Sequence, residues 1–114
     1  MFTIFYLSNC GYSMKTLKTI KDNNFPSRNI KCDRNNGICS SDPDLKIIPE
    51  TYTSYPKILF QIKDKKIFIG GNQELDKIMD ILKEIKKNPD IEIQSQRFIK
   101  QSYLYYILLK LILL

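Results

Sequence analysis

The chain opens with a short apolar run that leads into an amphipathic segment. Residues 2–7 are rich in aromatic and β-branched side chains and are followed by two polar residues, which is typical of a buried strand. After Cys10 the pattern becomes helical, because Met14, Leu17 and Ile20 recur every three residues while lysines occupy another face. The pattern therefore predicts a strand followed by a helix, which ends at the asparagines and proline of residues 23–26.

The middle of the chain is more polar. Residues 29–32 are predicted to form a second strand, and residues 33–42 a polar loop that contains an Asn-Asn-Gly turn. A short helix is predicted over residues 43–48, with Asp42 as its N-cap and Pro43 at its first position, where a missing N–H costs nothing.

Two more strands and a helix are predicted in the second half. Residues 57–62 and 66–69 are apolar runs joined by a Lys-Asp-Lys turn, and together they indicate a hairpin. Gly70-Gly71 and a predicted N-cap, Asn72, come next. The helix that follows has apolar residues at helical spacing, namely Leu75, Ile78, Met79, Leu82 and Ile85, and Asn88-Pro89 ends it.

This order of elements predicts an α/β fold. A strand–helix–strand opening, a short helix, a hairpin and a covering helix imply a mixed four-stranded sheet flanked by helices, in one domain over residues 1–88. Residues 89–114 form an extra C-terminal tail, nearly all apolar from residue 103 onward. As a helix that apolar stretch spans about 18 Å, against about 30 Å for a bilayer core. We expect it to pack on the domain or on a partner, with membrane binding or self-association as alternatives.

Composition narrows the possible chemistry. The net charge is +6, but the sequence contains no block of five or more like charges, so a nucleic-acid partner is not expected. The absence of histidine excludes a histidine base and histidine-ligated metal sites. The N-terminal run indicates a strand rather than a secretion signal, and the three cysteines are an odd number. A reducing, cytoplasmic setting is therefore expected.

Cys10 is the first candidate for chemistry, since it stands where a strand becomes a helix. A thiol there faces unpaired backbone N–H groups and the positive end of the helix dipole, and both stabilise the nucleophilic thiolate. Ser13 follows three residues later, where its hydroxyl can donate a hydrogen bond to the sulfur. The alternative is a small packed thiol beside a helix cap.

Two further motifs are candidates for binding. Pro56 stands directly before an apolar strand, and a cis Tyr55–Pro56 bond is one way to place it there, a trans proline at an edge strand being the other. Gly70-Gly71 before a helix allows a sharp turn and the close approach of a ligand, and the helix start attracts carboxylates. A simple turn capped by Asn72 is the alternative.

Taken together, the order strand–Cys-Gly-Tyr-Ser–helix, then Tyr-Pro before a hairpin, then Gly-Gly before an amphipathic helix resembles the thioredoxin superfamily. Within it the closest likeness is to the glutaredoxins of the monothiol branch, over roughly residues 2–87. The resemblance implies a thioredoxin fold, a redox-active Cys10 supported by Ser13, a cis proline, and glutathione as co-substrate. The implied glutathione-binding residues are Tyr12, Tyr55, Pro56, Gly71, Asn72 and Gln73.

The expected activity is glutathione-linked thiol–disulfide exchange on protein mixed disulfides, with a single nucleophilic cysteine. The alternatives are a non-catalytic module, such as a glutathione-ligated iron–sulfur carrier, and a thioredoxin-like or disulfide-isomerase-like redox domain. Leu7 stands where glutaredoxins usually have a lysine. Cys32 is expected to be packed and Cys39 to be incidental, and the alternative is that either acts as a distant resolving thiol for Cys10.

Overall fold

The computed structural model describes residues 1–33, 39–62 and 64–87. The elements follow the predicted order, and their bounds are β1 (Phe2–Leu7), α1 (Gly11–Asp22), β2 (Ser27–Cys32), a 3-10 helix (Pro43–Ile47), β3 (Lys57–Ile62), β4 (Lys65–Gly70) and α2 (Asn72–Lys87). One compact unit, Met1–Glu74, holds the sheet, α1 and the start of α2. The second unit begins at Leu75, and its described part is the rest of α2. The predicted C-terminal tail lies outside the described residues.

The four strands form one mixed sheet, as predicted, and their order in the sheet is β2-β1-β3-β4. Strand β1 pairs with β2 in parallel and with β3 antiparallel, and β3 pairs with β4 antiparallel. The parallel register places Leu7 beside Cys32, so β1 and β2 end at the same edge of the sheet. Because β1 and β3 are central, their side chains are buried on both faces, which explains their continuous apolar runs.

Helix α1 leaves the sheet edge and packs back against β1. It ends at Asp22, and Asn24, just after the C-cap residue Asn23, adopts a left-handed conformation with φ 56°. The N–H groups of Asn24 and Phe25 donate to the carbonyls of Lys21 and Ile20, at 3.0 and 3.1 Å, so the end is a Schellman motif with asparagine in the usual glycine position. The two consecutive asparagines, Asn23 and Asn24, therefore terminate helix α1.

The buried face of α1 differs from the predicted one. The buried residues are Ser13, Thr16 and Ile20, while Leu17 is half-buried and Met14 is exposed. The apolar spacing did not identify this face, because the hydroxyl groups of Ser13 and Thr16 form hydrogen bonds to neighbouring elements, as described below. Polar groups with partners can be buried at little cost.

The 3-10 helix is held by charge as well as by packing. The carboxylate of Asp42 accepts the N–H of Asp44 at 3.0 Å, which confirms Asp42 as the N-cap. Arg28 of β2 forms ion pairs with Asp42 and Asp44, and Lys66 of β4 reaches Asp44 at 2.6 Å. Because β2 and β4 are the two outer strands of the sheet, this network connects the 3-10 helix to both edges of the sheet.

One face of the sheet carries an apolar cluster that includes a disulfide. Phe5, Leu7 and Leu59 are buried there with Ile48, and the disulfide joins Cys32 to Cys39, whose Cα atoms are 5.1 Å apart. The expected packing of Cys32 is confirmed. The interpretation of Cys39 as incidental is wrong, because this residue is buried in the core and covalently bonded.

Smaller differences concern the ends of elements. Strand β2 begins two residues earlier than predicted, and β4 extends over Lys65–Gly70 with an irregular register near Ile58 and Leu59. Asn72 is the first residue of α2 rather than its cap. Four of the predicted apolar residues of α2 are buried, namely Leu75, Ile78, Met79 and Leu82, and the side chain of Ile85 lies outside the described ones. Within the described ranges, no helix is both long and apolar enough to span a bilayer.

Candidate functional site

Cys10 occupies the N-cap position of α1. Its backbone is extended, with φ −106° and ψ 123°, and its carbonyl accepts the N–H of Met14 at 3.0 Å. The side chain makes no capping hydrogen bond, is half-buried, and donates to the carbonyl oxygen of Tyr55 at 3.9 Å. A sulfhydryl is a weak donor, so this contact orients the sulfur more than it determines its charge. The helix terminus supplies the electrostatic support for a thiolate.

Ser13 is fully buried one turn into α1. Its hydroxyl oxygen accepts the backbone N–H of Leu7 at 3.1 Å. The bond joins the end of β1 to the first turn of the helix, and it fixes the short connection that carries Cys10. The expected hydrogen bond from Ser13 to the sulfur stays a prediction.

The Tyr55–Pro56 peptide bond is cis, which confirms the prediction. Pro56 is fully buried, directly before β3. The carbonyl of Tyr55 is the group that meets the sulfur of Cys10, although the two residues are 45 positions apart in the chain. The structure thus brings the first two candidate motifs together at one place.

Lys57, the residue after the proline, was not recognised from the sequence. Only 8% of it is exposed, and its ammonium donates to the carbonyl of Tyr52 at 2.9 Å. The same ammonium lies 4.7 Å from the centre of the Tyr55 ring, a cation–π distance. Burial lowers the pKa of Lys57. A lysine directly after the proline, at the start of an apolar strand, was the available signal.

The glycine pair is required by its surroundings. Gly70 has φ +119°, and a Cβ there would lie 2.7 Å from side-chain carbons of Glu74. At Gly71 a Cβ would collide with the hydroxyl of Tyr52 and would lie 3.2 Å from the carbonyl oxygen of Pro56. The glycines therefore allow Tyr52 and the Pro56 backbone to approach the turn closely.

The start of α2 already has polar partners of its own. The N–H of Gly71 donates to the carboxylate of Glu74 at 3.3 Å, the second half of a capping box. The side-chain oxygen of Asn72 accepts the hydroxyl of Thr16 at 2.9 Å, in a buried bond between α1 and the start of α2. Glu74 thus places negative charge where an anionic ligand would otherwise bind.

A cleft of about 330 Å³ lies between these segments. It is lined by Tyr12, Tyr52, Ser54, Tyr55, Gly71, Asn72, Gln73 and Glu74. Five of the six residues predicted to bind a ligand are in this set, and the sixth, Pro56, is buried behind it. Cys10 is not a lining residue and adjoins the cleft through the Tyr55 carbonyl. The cleft also includes three residues that no sequence motif indicated, Tyr52, Ser54 and Glu74.

Two of the three tyrosines that line the cleft, Tyr52 and Tyr55, are held in their neutral forms. Burial, and then the charge of Glu74, raises the pKa of Tyr52. Burial, and then the charge of Asp33, raises the pKa of Tyr55. Both phenols therefore keep their protons at neutral pH and can act as hydrogen-bond donors.

No protein-family model, curated protein or solved structure matches the chain. Across the described residues, no group of three or more histidine, cysteine or acidic side chains is placed to hold a metal ion. The chemistry of the site therefore depends on its own residues. They comprise an oriented thiol at a helix start, a carbonyl beside it, and an adjoining cleft with tyrosines, amides and one carboxylate.

Proposed function

We propose that the chain is a glutaredoxin-like thiol–disulfide oxidoreductase with a thioredoxin-type fold and Cys10 as its nucleophile. The observation that carries this proposal is the contact between the Cys10 sulfur and the carbonyl of Tyr55, the residue before a cis proline. Two features suit the site to reaction with a peptide disulfide: a thiol at a helix start, and an extended backbone segment beside it. The first supplies the attacking thiolate, and the second offers backbone groups to hold the substrate.

The reaction is a pair of thiol–disulfide exchanges. The Cys10 thiolate attacks the glutathione sulfur of a protein mixed disulfide, the Cys10–glutathione bond forms, and the protein thiolate leaves and takes a proton. A second glutathione thiolate then attacks the glutathione sulfur held on Cys10. Oxidised glutathione departs and the Cys10 thiolate is restored.

The cleft suits a small zwitterionic peptide better than a simple anion. Glu74 can pair with an ammonium group, while the side-chain amide of Gln73 and the neutral phenol of Tyr52 can donate to a carboxylate. Glutathione carries one ammonium and two carboxylates, so its γ-glutamyl end fits this mixture. Tyr12 is largely exposed at the cleft edge and offers an aromatic face to the rest of the peptide.

An iron–sulfur cluster fits the chain less well. Such clusters are held by four ligands, mostly cysteine thiolates. The chain has three cysteines, and two of them form the disulfide. A cluster would need ligands from outside the chain, and no step is assigned to one.

The decisive experiment is a glutathione-coupled deglutathionylation assay on the wild type and Cys10→Ser. Activity should be lost in Cys10→Ser, since a hydroxyl at this position is not a nucleophile at neutral pH. Ser8→Ala, an exposed change two residues away, is the matched control and should keep full activity. An inactive wild type, or an active Cys10→Ser variant, would contradict the proposal. Reduction of protein disulfides without a requirement for glutathione would support the thioredoxin-like alternative.

A further inference from the structure

The Cys32–Cys39 disulfide is shielded from solvent. Cys32 is 3% exposed and Cys39 is 2% exposed, and both belong to the apolar cluster on one face of the sheet. Leu45 and Ile48, in and just after the 3-10 helix, pack in the same cluster. A reductant in solution therefore meets a covered bond, although the disulfide joins residues only seven positions apart.

Cys10 packs against the same cluster while remaining half-buried. The backbone explains why. Cys32 is the register partner of Leu7, the last residue of β1, and the N–H of Cys10 donates back to the Leu7 carbonyl at 3.3 Å. The tight turn after β1 thus returns the chain towards the edge where β2 ends.

A second observation places the two redox groups near each other. Asp33, the residue after Cys32, acts electrostatically on the phenol of Tyr55. The carbonyl of that same tyrosine accepts the thiol of Cys10. Cys10 and Tyr55 both pack against the cluster that contains the disulfide, and Asp33 is close enough to Tyr55 to act on its phenol.

We propose that Cys10 exchanges directly with the Cys32–Cys39 disulfide, which makes that disulfide an internal two-electron acceptor for the site. The Cys10 thiolate attacks the sulfur of Cys32, a Cys10–Cys32 bond forms, and Cys39 leaves as a thiolate that takes a proton. The site then holds a resolving cysteine that the Cys-Gly-Tyr-Ser motif itself lacks.

A small thiol such as glutathione is the reductant that completes the exchange. Its thiolate attacks the sulfur of Cys10, and Cys32 leaves as a thiolate. The first small thiol is now bonded to the sulfur of Cys10. A second molecule of the thiol attacks the sulfur of the first, and the small-molecule disulfide and the Cys10 thiolate are released. In total, two small thiols are oxidised to one disulfide, and the Cys32–Cys39 bond is reduced to two thiols. The exchange needs only a nucleophilic Cys10 and does not depend on glutathione being the natural substrate.

The test compares the reduction of the internal disulfide in the full-length wild type and in Cys10→Ser. Oxidised protein is mixed with glutathione at neutral pH, quenched with acid and alkylated, and the pairing is read by peptide mass spectrometry. We expect the Cys32–Cys39 bond to be reduced at least about tenfold faster in the wild type, because the serine variant leaves only direct attack on a covered bond. Equal rates would overturn the proposal.

A positional control separates the role of Cys10 from the mere presence of a thiol. The double variant S8C/C10S restores one thiol at an exposed position two residues away. It should stay at the slow rate of Cys10→Ser, and recovery of the fast rate would overturn the proposal. As a trap, Cys39→Ser treated with a mild oxidant should form a Cys10–Cys32 bond. Each outcome is independent of the deglutathionylation assay, so the two proposals can fail separately.

Discussion

The buried bond between Thr16 and Asn72 gives the sharpest test of how the site is held. Thr16 lies on α1, the helix that begins beside Cys10, and Asn72 lines the cleft at the start of α2. The Thr16 hydroxyl donates to the Asn72 side-chain oxygen at 2.9 Å, and both residues are buried, at 0% and 5% exposure. Thr16→Val keeps the shape of the side chain and removes only the donor.

The expected loss follows from the burial of the acceptor. In Thr16→Val the side-chain oxygen of Asn72 loses this donor at a site away from water. We expect that loss to lower the free energy of unfolding by about 1–3 kcal/mol. Thr16→Ser is the matched control, because it keeps the hydroxyl and loses one buried methyl group, for about 0.8 kcal/mol. Thr16→Val should therefore be the more destabilised of the two.

Urea unfolding followed by far-ultraviolet circular dichroism measures this difference. With a urea m-value of about 1–3 kcal/mol per molar, a loss of about 1.5 kcal/mol moves the midpoint by roughly 1 M. A double-mutant cycle with Asn72→Ala isolates the pair, and its coupling free energy should be about 1 kcal/mol. The reasoning is refuted if Thr16→Val unfolds at the wild-type midpoint, or if the coupling is indistinguishable from zero.

Three further predictions concern the thiols, the charge network and the cleft. Without reductant, iodoacetamide should label Cys10 and neither Cys32 nor Cys39, as read by mass spectrometry; equal labelling of all three would contradict the structure. Arg28 lowers the pKa of Asp42, so this carboxylate stabilises the fold above its unfolded pKa and loses that effect as the pH falls through the lower folded pKa. Asp42→Asn should therefore make the free energy of unfolding less dependent on pH below about pH 4. We expect a change of about 1 kcal/mol or less, because the Arg28 side chain is 40% exposed and solvent screens the pair. An unchanged pH dependence would contradict this. Gly71→Ala should weaken glutathione binding several-fold by calorimetry, while Gly11→Ala, with no atom within 4 Å of the added carbon, should not; equal affinities would contradict the assignment of the cleft.

The parts of the structure that local sequence determines were predicted well. The order of strands and helices follows from hydrophobic periodicity, and the N-cap role of Asp42 follows from the proline after it. The cis bond at Pro56 and the gathering of Tyr55 and Gly71 at one cleft were expected from the order of the motifs. These features depend on neighbours in sequence, or on a resemblance that covers the whole domain.

The features that were missed depend on side-chain partners that hydrophobic spacing does not indicate. Met14 is more apolar than Thr16, yet Thr16 is buried because Asn72, 56 positions away, accepts its hydroxyl. Lys57 is buried because the Tyr52 carbonyl and the Tyr55 ring receive its ammonium. Cys39 belongs to a polar stretch of sequence, yet it is buried in the apolar cluster and bonded to Cys32. Periodicity cannot show such partners.

The two outer strands of the described sheet have a consequence for association. Strands β2 and β4 each have one side without a sheet neighbour among the described residues, and such edges can pair with the strand of another molecule. Each of these strands carries an exposed lysine, Lys31 on β2 and Lys65 on β4. Joining two copies along either edge would bring like charges together and would remove long cationic side chains from water. These residues therefore act as gatekeepers against edge-to-edge aggregation, and their protection should weaken as added salt screens the repulsion.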